Sequence, residues 1–179
     1  NGRAVDIRFY PRFESHQLVE ECMLLANEAV AQRLTELEWP MLYRVHEAAL
    51  PRQLKQLEPM LKALGIKVNF KSGSLTPKAI QRALDQAEKR PAGHIFRRLI
   101  LRALTRARYS PENLGHFGLA SDCYCHFTSP IRRYPDLVVH RALIRHLQSE
   151  TPPVDDELKA ALDELAETAD QCSALERVA

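Results

Sequence analysis

Apolar positions along the 179 residues change period several times, and each change marks an element. Residues 1–14 alternate, with Val5, Ile7 and Phe9 apolar and Asp6, Arg8 and Tyr10 between them, which predicts a short strand ending at Pro11. From Ser15 the period lengthens to that of a helix, with Ser15 as its cap, running to about Glu38 and closed by Trp39-Pro40. Between Cys22 and Ala26 this helix is apolar nearly all round, so it reads as a buried central element. Its acidic pair, Glu20-Glu21, lies near the start, where the helix dipole favours negative charge. Met41 to Val45 suits a brief strand. Glu47 to Leu64 reads as a helix with Pro51 in its first turn and Gly65 as its stop.

Ile66 to Phe70 alternates briefly before a Ser72-Gly73-Ser74 loop, and Thr76-Pro77 opens a helix that runs to about Lys89. After the Pro91-Ala92-Gly93 break, His94 to Arg108 forms a basic amphipathic helix. Ile95, Leu99, Leu101, Ala103 and Leu104 supply its apolar side, and Arg97, Arg98, Arg102 and Arg106 its charged side. Tyr109 to Ser121, punctuated by Gly115 and Gly118, is more strand-like than helical. A helix from Pro130 to about Gln148 and a final acidic helix from Val154, with Leu158, Leu162 and Leu165 on one face, complete the chain. Five to six helices with a few short strands predict a helix-dominated α+β fold, without internal repeats.

Composition adds limits. Hydrophobic residues at 45% and charged residues at 27% are ordinary for a globular protein. No apolar run reaches the roughly 20 residues of a membrane span, so a cytoplasmic protein with no membrane partner is expected. The chain opens without methionine and closes inside a helical pattern, as expected of a piece of a longer protein. Cys123-Tyr124-Cys125 followed by His126 raises zinc, yet a structural site wants four ligands and no second cluster exists; buried reduced thiols are the favoured reading of the four cysteines. No metal ligands are assigned, and nothing indicates an oligomeric state. Residues 90–148 carry ten Lys/Arg against three Asp/Glu, whereas 149–179 carry two against nine. A basic centre beside an acidic tail fits a polyanion partner, or two segments that dock on each other.

The chemistry concentrates at 126–141. Ser129 before Pro130 is a good helix start, with free N–H groups and a positive dipole end. Arg132 and Arg133 add forked donors that match phosphate oxygens, Tyr134 adds a ring, and Arg132, Asp136 and His140 recur at helical spacing. The same spacing equally suits arginines that pair with nearby carboxylates. Glu20 and Asn27, seven apart, project alike and could orient a sugar hydroxyl, or they are simply a dipole-matched helix start. The arginine face of 97–108 could track a nucleic-acid backbone, or be a solvated face or a dock for the acidic tail.

Several blocks occur in a telling order: Glu20 to Asn27 (EECMLLAN), His116 to Ala120 (HFGLA), His126 to Leu137 (HFTSPIRRYPDL), His140-Arg141, and Cys172-Ser173 with Glu176-Arg177. Together they resemble the C-terminal half of the catalytic (RNB) domain of the ribonuclease R / ribonuclease II family of processive 3′-to-5′ exoribonucleases, from about His16 to the last residue. The resemblance implies that residues 1–179 are the C-terminal portion of one such domain. It implies hydrolysis of single-stranded RNA from its 3′ end to nucleoside 5′-monophosphates, with Mg2+ held by an aspartate motif absent from this chain, so that these residues alone are inactive. By the same resemblance Arg132, with Arg133 second, stabilises the scissile phosphate, and Glu20 or Glu21 and Glu176 lie near the 3′-terminal nucleotide. Asn27, His116 and Tyr134 complete the expected RNA-binding set. The sequence departs from the family at Phe117, where tyrosine is usual, and in the thiol-bearing stretch Ser121 to Cys125. The alternative is a non-catalytic RNA-binding or helical interaction module with the same fold.

Overall fold

A computed structural model describes residues 6, 8, 10–48, 59, 62, 76–88, 93–148 and 151–178. Among these, five helices, two strands and a 3-10 turn follow in the order α1 (Glu14–Glu36), β1 (Tyr43–Val45), α2 (Pro77–Glu88), α3 (Gly93–Ala103), β2 (Arg108–Ser110), the 3-10 turn (Phe117–Leu119), α4 (Tyr134–Leu147) and α5 (Asp155–Leu175). The helix-dominated α+β architecture matches the expectation. The expected helix Glu47–Leu64, the alternation Ile66–Phe70, the Ser72–Ser74 loop and most of the N-terminal strand lie outside the described residues.

The core is organised along β1 and the residues before it. Met41, Tyr43 and Val45 pack with Ala31 and Leu34 of α1, Val139 and Ala142 of α4, and the thiols of Cys123 and Cys125. Leu42, on the alternate face, packs with Tyr109 and with Ala169 of α5, as the two-residue strand period requires. β1 and β2 pair antiparallel, with Arg44 opposite Tyr109. On its far side the Arg44 N–H donates to the Tyr124 carbonyl at 2.9 Å. Helix α5 closes the β2 edge, because Ser173 Oγ accepts the Tyr109 N–H at 3.0 Å. The acidic helix therefore docks on the sheet and α4. No helix among the described residues is long and apolar enough to cross a membrane.

Five expectations change, the fifth at the start of α4. Ser15 does not cap α1; Phe13 does, and His16 Nδ1 accepts the Phe13 N–H at 3.2 Å. Nor is α1 buried where it is most apolar: Cys22 and Leu25 are exposed and only Asn27, Ala31 and Leu34 are buried, because β1 and α4 pack against its C-terminal half. Helix α3 ends at Ala103, since the backbone around Arg108 pairs with Val45 instead. The strand expected over Tyr109–Ser121 is confined to Arg108–Ser110, and Gly115 and Ala120 turn the following chain through the left-handed region at φ of +70° and +53°. Of the four thiols, Cys123 and Cys125 are buried, Cys172 is half-buried and Cys22 is exposed.

Helix α4 starts at Tyr134, with Arg133 as the extended residue before it, rather than at Pro130. Pro135 explains the difference. In a helix begun at Pro130 it would sit in the interior, without an N–H for Ile131 and with its ring against that carbonyl; at the second position of α4 it costs nothing. The chain from Ser129 to Arg133 forms a turn instead, in which the Ser129 carbonyl accepts the N–H groups of Arg132 and Arg133 at 3.2 and 3.1 Å.

Candidate nucleic-acid interface

The turn is held from two sides. Asn27 on α1 is 3% exposed, and its Oδ1 accepts the N–H groups of Phe127 and Thr128 at 2.9 and 3.2 Å. Its Nδ2 donates to the Tyr124 hydroxyl at 2.9 Å, and its carbonyl accepts the Cys125 thiol at 3.3 Å. From α4, the fully buried Asp136 accepts both the Ser129 N–H and the Arg133 guanidinium on Oδ1, each at 2.7 Å. His140 Nε2 lies 2.9 Å from the Phe127 carbonyl, and the two rings stack at 4.0 Å.

This wiring separates the two arginines. Arg133 is turned inward and neutralises the buried Asp136. Arg132 is exposed beside the fully exposed Ile131, and its guanidinium has no partner among the described residues. Arg132, Asp136 and His140 do not share a face, since Asp136 and His140 point into the packing and Arg132 precedes the helix.

Next to the turn runs a chain of rings that sequence reasoning missed, apart from His116. His46, His116, Tyr124, His126 and Tyr109 lie edge to face with centroid spacings of 5.2, 5.3, 6.0 and 5.7 Å. Tyr109 Oη and His126 Nδ1 are hydrogen-bonded at 3.0 Å. Burial, reinforced by the Arg133 and Arg44 cations, pushes His126 down to about 3. Burial, then His46 and Arg44, lowers His116 to about 4, and burial raises Tyr109 to about 12. His126, His116 and Tyr109 are therefore uncharged at neutral pH. His46 Nδ1 accepts the Gly118 N–H at 3.0 Å, and a Cβ at Gly118 would stand 2.6 Å from that nitrogen.

Arg44 flanks the ring chain, 4.7 Å above Tyr109, and Glu176 grips it through two bonds of 2.7 and 3.0 Å. The sequence signal for Arg44 was available: a charged residue within the apolar run Met41 to Val45. Glu176 thus joins the cluster through Arg44, and His116 through Tyr124. Glu20 and Asn27 do not project alike, since Glu20 is exposed and pairs with Arg12. Glu21 is exposed and lines an open cleft of about 430 Å³ with Cys22, Leu25, Glu28 and Leu119. Tyr134 is 52% exposed at the start of α4. Arg97 and Arg108 of the basic stretch pair with Glu88 and Glu47. No group of three His, Cys, Asp or Glu residues among the described residues could hold a metal ion, so the magnesium that the resemblance implies finds no ligand set in them. What the arrangement offers is an anion site: a donor-rich exposed arginine on a turn that the core holds rigid.

A family model described as RNB domain matches residues 1–149. Ribonuclease R of Thermotoga maritima is 42% identical over the whole chain, which spans 25% of that protein. A solved Mycoplasma genitalium RNase R in complex with ribose methylated single-stranded RNA superposes with a TM-score of 0.82 at 34% identity, covering 96% of this chain and 27% of the other. Yeast Ssd1, described as a pseudonuclease, shares the fold with a TM-score of 0.73 at 24% identity, over 90% of this chain and 20% of that one. The chain thus spans about a quarter of the length of the curated relatives it matches.

Proposed function

Because this chain belongs to the RNB-domain family, we propose that it forms the phosphate-holding part of a 3′-to-5′ exoribonuclease that hydrolyses single-stranded RNA to nucleoside 5′-monophosphates in the cytoplasm. The observation that carries the reading is the pairing of an exposed Arg132, whose guanidinium has no partner among the described residues, with a turn anchored by Asn27 and Asp136. A guanidinium held without reorganisation is worth most where charge develops, on the scissile phosphate. Arg132 takes that role, and Arg133 keeps the turn in shape. Glu21, whose carboxylate no arginine among the described residues takes as Arg12 takes that of Glu20, contacts the 3′-terminal ribose; a 2′-hydroxyl contact distinguishes RNA from DNA. Arg44 and Glu176 act as one unit beside the same pocket.

The magnesium expected from the resemblance would, when bound by ligands outside the described residues, supply water activation. This chain binds and orients the strand. The test is turnover of single-stranded RNA by the full-length protein carrying Arg132→Ala. Loss of turnover with RNA affinity kept supports the assignment, and parallel loss of both makes Arg132 a binding residue.

The competing reading is a non-catalytic RNA-binding or helical interaction module with the same fold, a shape also found in a protein described as a pseudonuclease. Release of mononucleotides by the full-length protein with magnesium decides between them.

A further inference from the structure

The Tyr109 hydroxyl and His126 Nδ1 lie 3.0 Å apart, and Tyr109 is 4% exposed. If the imidazole gave the proton, the phenol hydrogen would be left inside the protein, since no second group among the described residues bonds Tyr109 Oη. A donor stranded in that way costs more than one bond returns. Tyr109 therefore donates, Nδ1 accepts, and the proton of the neutral ring sits on Nε2. That nitrogen has no partner among the described residues, and it is not one of their polar atoms sealed from solvent, as Nδ1 of His116 is. The half-buried ring thus presents one N–H outward.

We propose that His126 is a neutral hydrogen-bond donor to RNA, its Nε2–H bonding an oxygen of the sugar–phosphate backbone in the strand held at Arg132. The proposal rests on the exoribonuclease reading for the identity of the strand.

The donor is fixed before anything binds. Asn27 accepts the N–H groups of Phe127 and Thr128, the two residues that follow the ring, so one amide sets both His126 and the start of the arginine turn. Tyr124 meets the imidazole edge to face at 6.0 Å. Tyr109 is tied in turn by its own N–H to Ser173 Oγ. A group already held in place loses little entropy when its acceptor arrives.

Electrostatics confine the ring to this one role. Two closed ion pairs stand near it, Arg44 with Glu176 and Arg133 with Asp136. Burial first, then the Arg133 and Arg44 cations, push His126 down to about 3 against the opposing effect of Asp136. An imidazole that far from neutrality is a poor carrier of protons. What it offers a substrate is the N–H.

Deleting the acceptor as well as the donor tests the assignment, because paired deletions report direct contact. The full-length protein is compared with its His126→Phe variant, which keeps a ring and loses the donor. Competing single strands carry one 2′-deoxyribose or one methylphosphonate at successive positions from the 3′ end, and their inhibition constants are read against degradation of labelled RNA. For an unmodified competitor the variant's constant rises about tenfold, the size of one hydrogen bond. At one position a single modification removes the difference between the two proteins. A 2′-deoxyribose with that effect identifies a ribose hydroxyl as the acceptor, and a methylphosphonate identifies a phosphate oxygen. His126→Gln, whose amide carries an N–H to a similar place, restores most of the affinity. The ratio between variant and unmodified protein stays flat through neutral pH. An equal rise for every modified strand reduces His126 to a structural residue, and a ratio that titrates near the ordinary histidine value makes it a proton carrier; either result overturns the proposal. If the unmodified protein degrades no RNA, the exoribonuclease reading fails, and filter binding of the same strands to the two proteins still decides the donor.

Discussion

Asn27 Oδ1 accepts the Phe127 N–H at 2.9 Å across 100 residues of sequence, and through that bond a helix near the start of the chain sets the position of the arginine turn. Removing the amide strands the N–H groups of Phe127 and Thr128 and the Tyr124 hydroxyl inside the protein. Each unsatisfied group costs about 1–3 kcal/mol. Asn27→Ala therefore lowers stability by about 3 kcal/mol or more. Asn27→Asp keeps the acceptor for the two N–H groups and loses less. Urea unfolding of the two variants checks the order, and a milder effect for alanine than for aspartate would sink it.

The adjacent arginines should part company when replaced one at a time. Arg132→Ala removes an exposed side chain, so the melting temperature stays within error while turnover drops by about 100-fold. Arg133→Ala leaves Asp136 charged, buried and unpaired, which costs about 3–5 kcal/mol. Adding Asp136→Asn to Arg133→Ala recovers part of that stability, because the stranded charge is gone. Melting curves and turnover measured on the same preparations test both halves; a stability loss for Arg132→Ala matching that for Arg133→Ala would refute the division.

Stability should fall as the solution is acidified below about pH 6.5. His126 and His116 are held down to about 3 and about 4 by burial and neighbouring cations. Between the ordinary histidine value and those values the unfolded chain binds protons that the folded chain does not, so each proton taken up favours unfolding. The loss reaches up to about 1.4 kcal/mol per pH unit for each histidine. Denaturant titrations at neutral pH and at successively lower pH report it, and His116→Gln flattens the dependence.

The end of α1 offers a stabilising change. The Trp39 N–H donates to the Leu34 carbonyl at 2.9 Å and the Glu38 N–H to that of Thr35 at 3.0 Å, the paired bonds of a Schellman stop. Glu38 occupies its left-handed position at φ 57° without being glycine. Glu38→Gly relieves about 1 kcal/mol of backbone strain and raises the melting temperature by a few degrees. An unchanged or lower melting temperature counts against strain at this position.

Much of this was legible beforehand. Periodicity located α2, α4 and α5 to within a few residues, and the motif blocks identified the family from order and spacing. The helix-dominated class followed from the same pattern. The Pro135 ring, visible in the sequence, would have moved the start of α4 from Pro130 to Tyr134 had its position in the helix been counted.

What the sequence determined by itself is local: where periods change, where proline and glycine interrupt them, and which donors and rings fall near one another. Tertiary structure decided which side chains remain available. Two adjacent arginines are indistinguishable in a string, yet Asp136, at 0% exposure, requires a cation and takes Arg133, which leaves Arg132 outside. Asn27 looked like a ligand-facing amide until a loop about 100 residues away used all of it. Burial is a property of what packs against a residue, and most of what packs here comes from the other end of the chain.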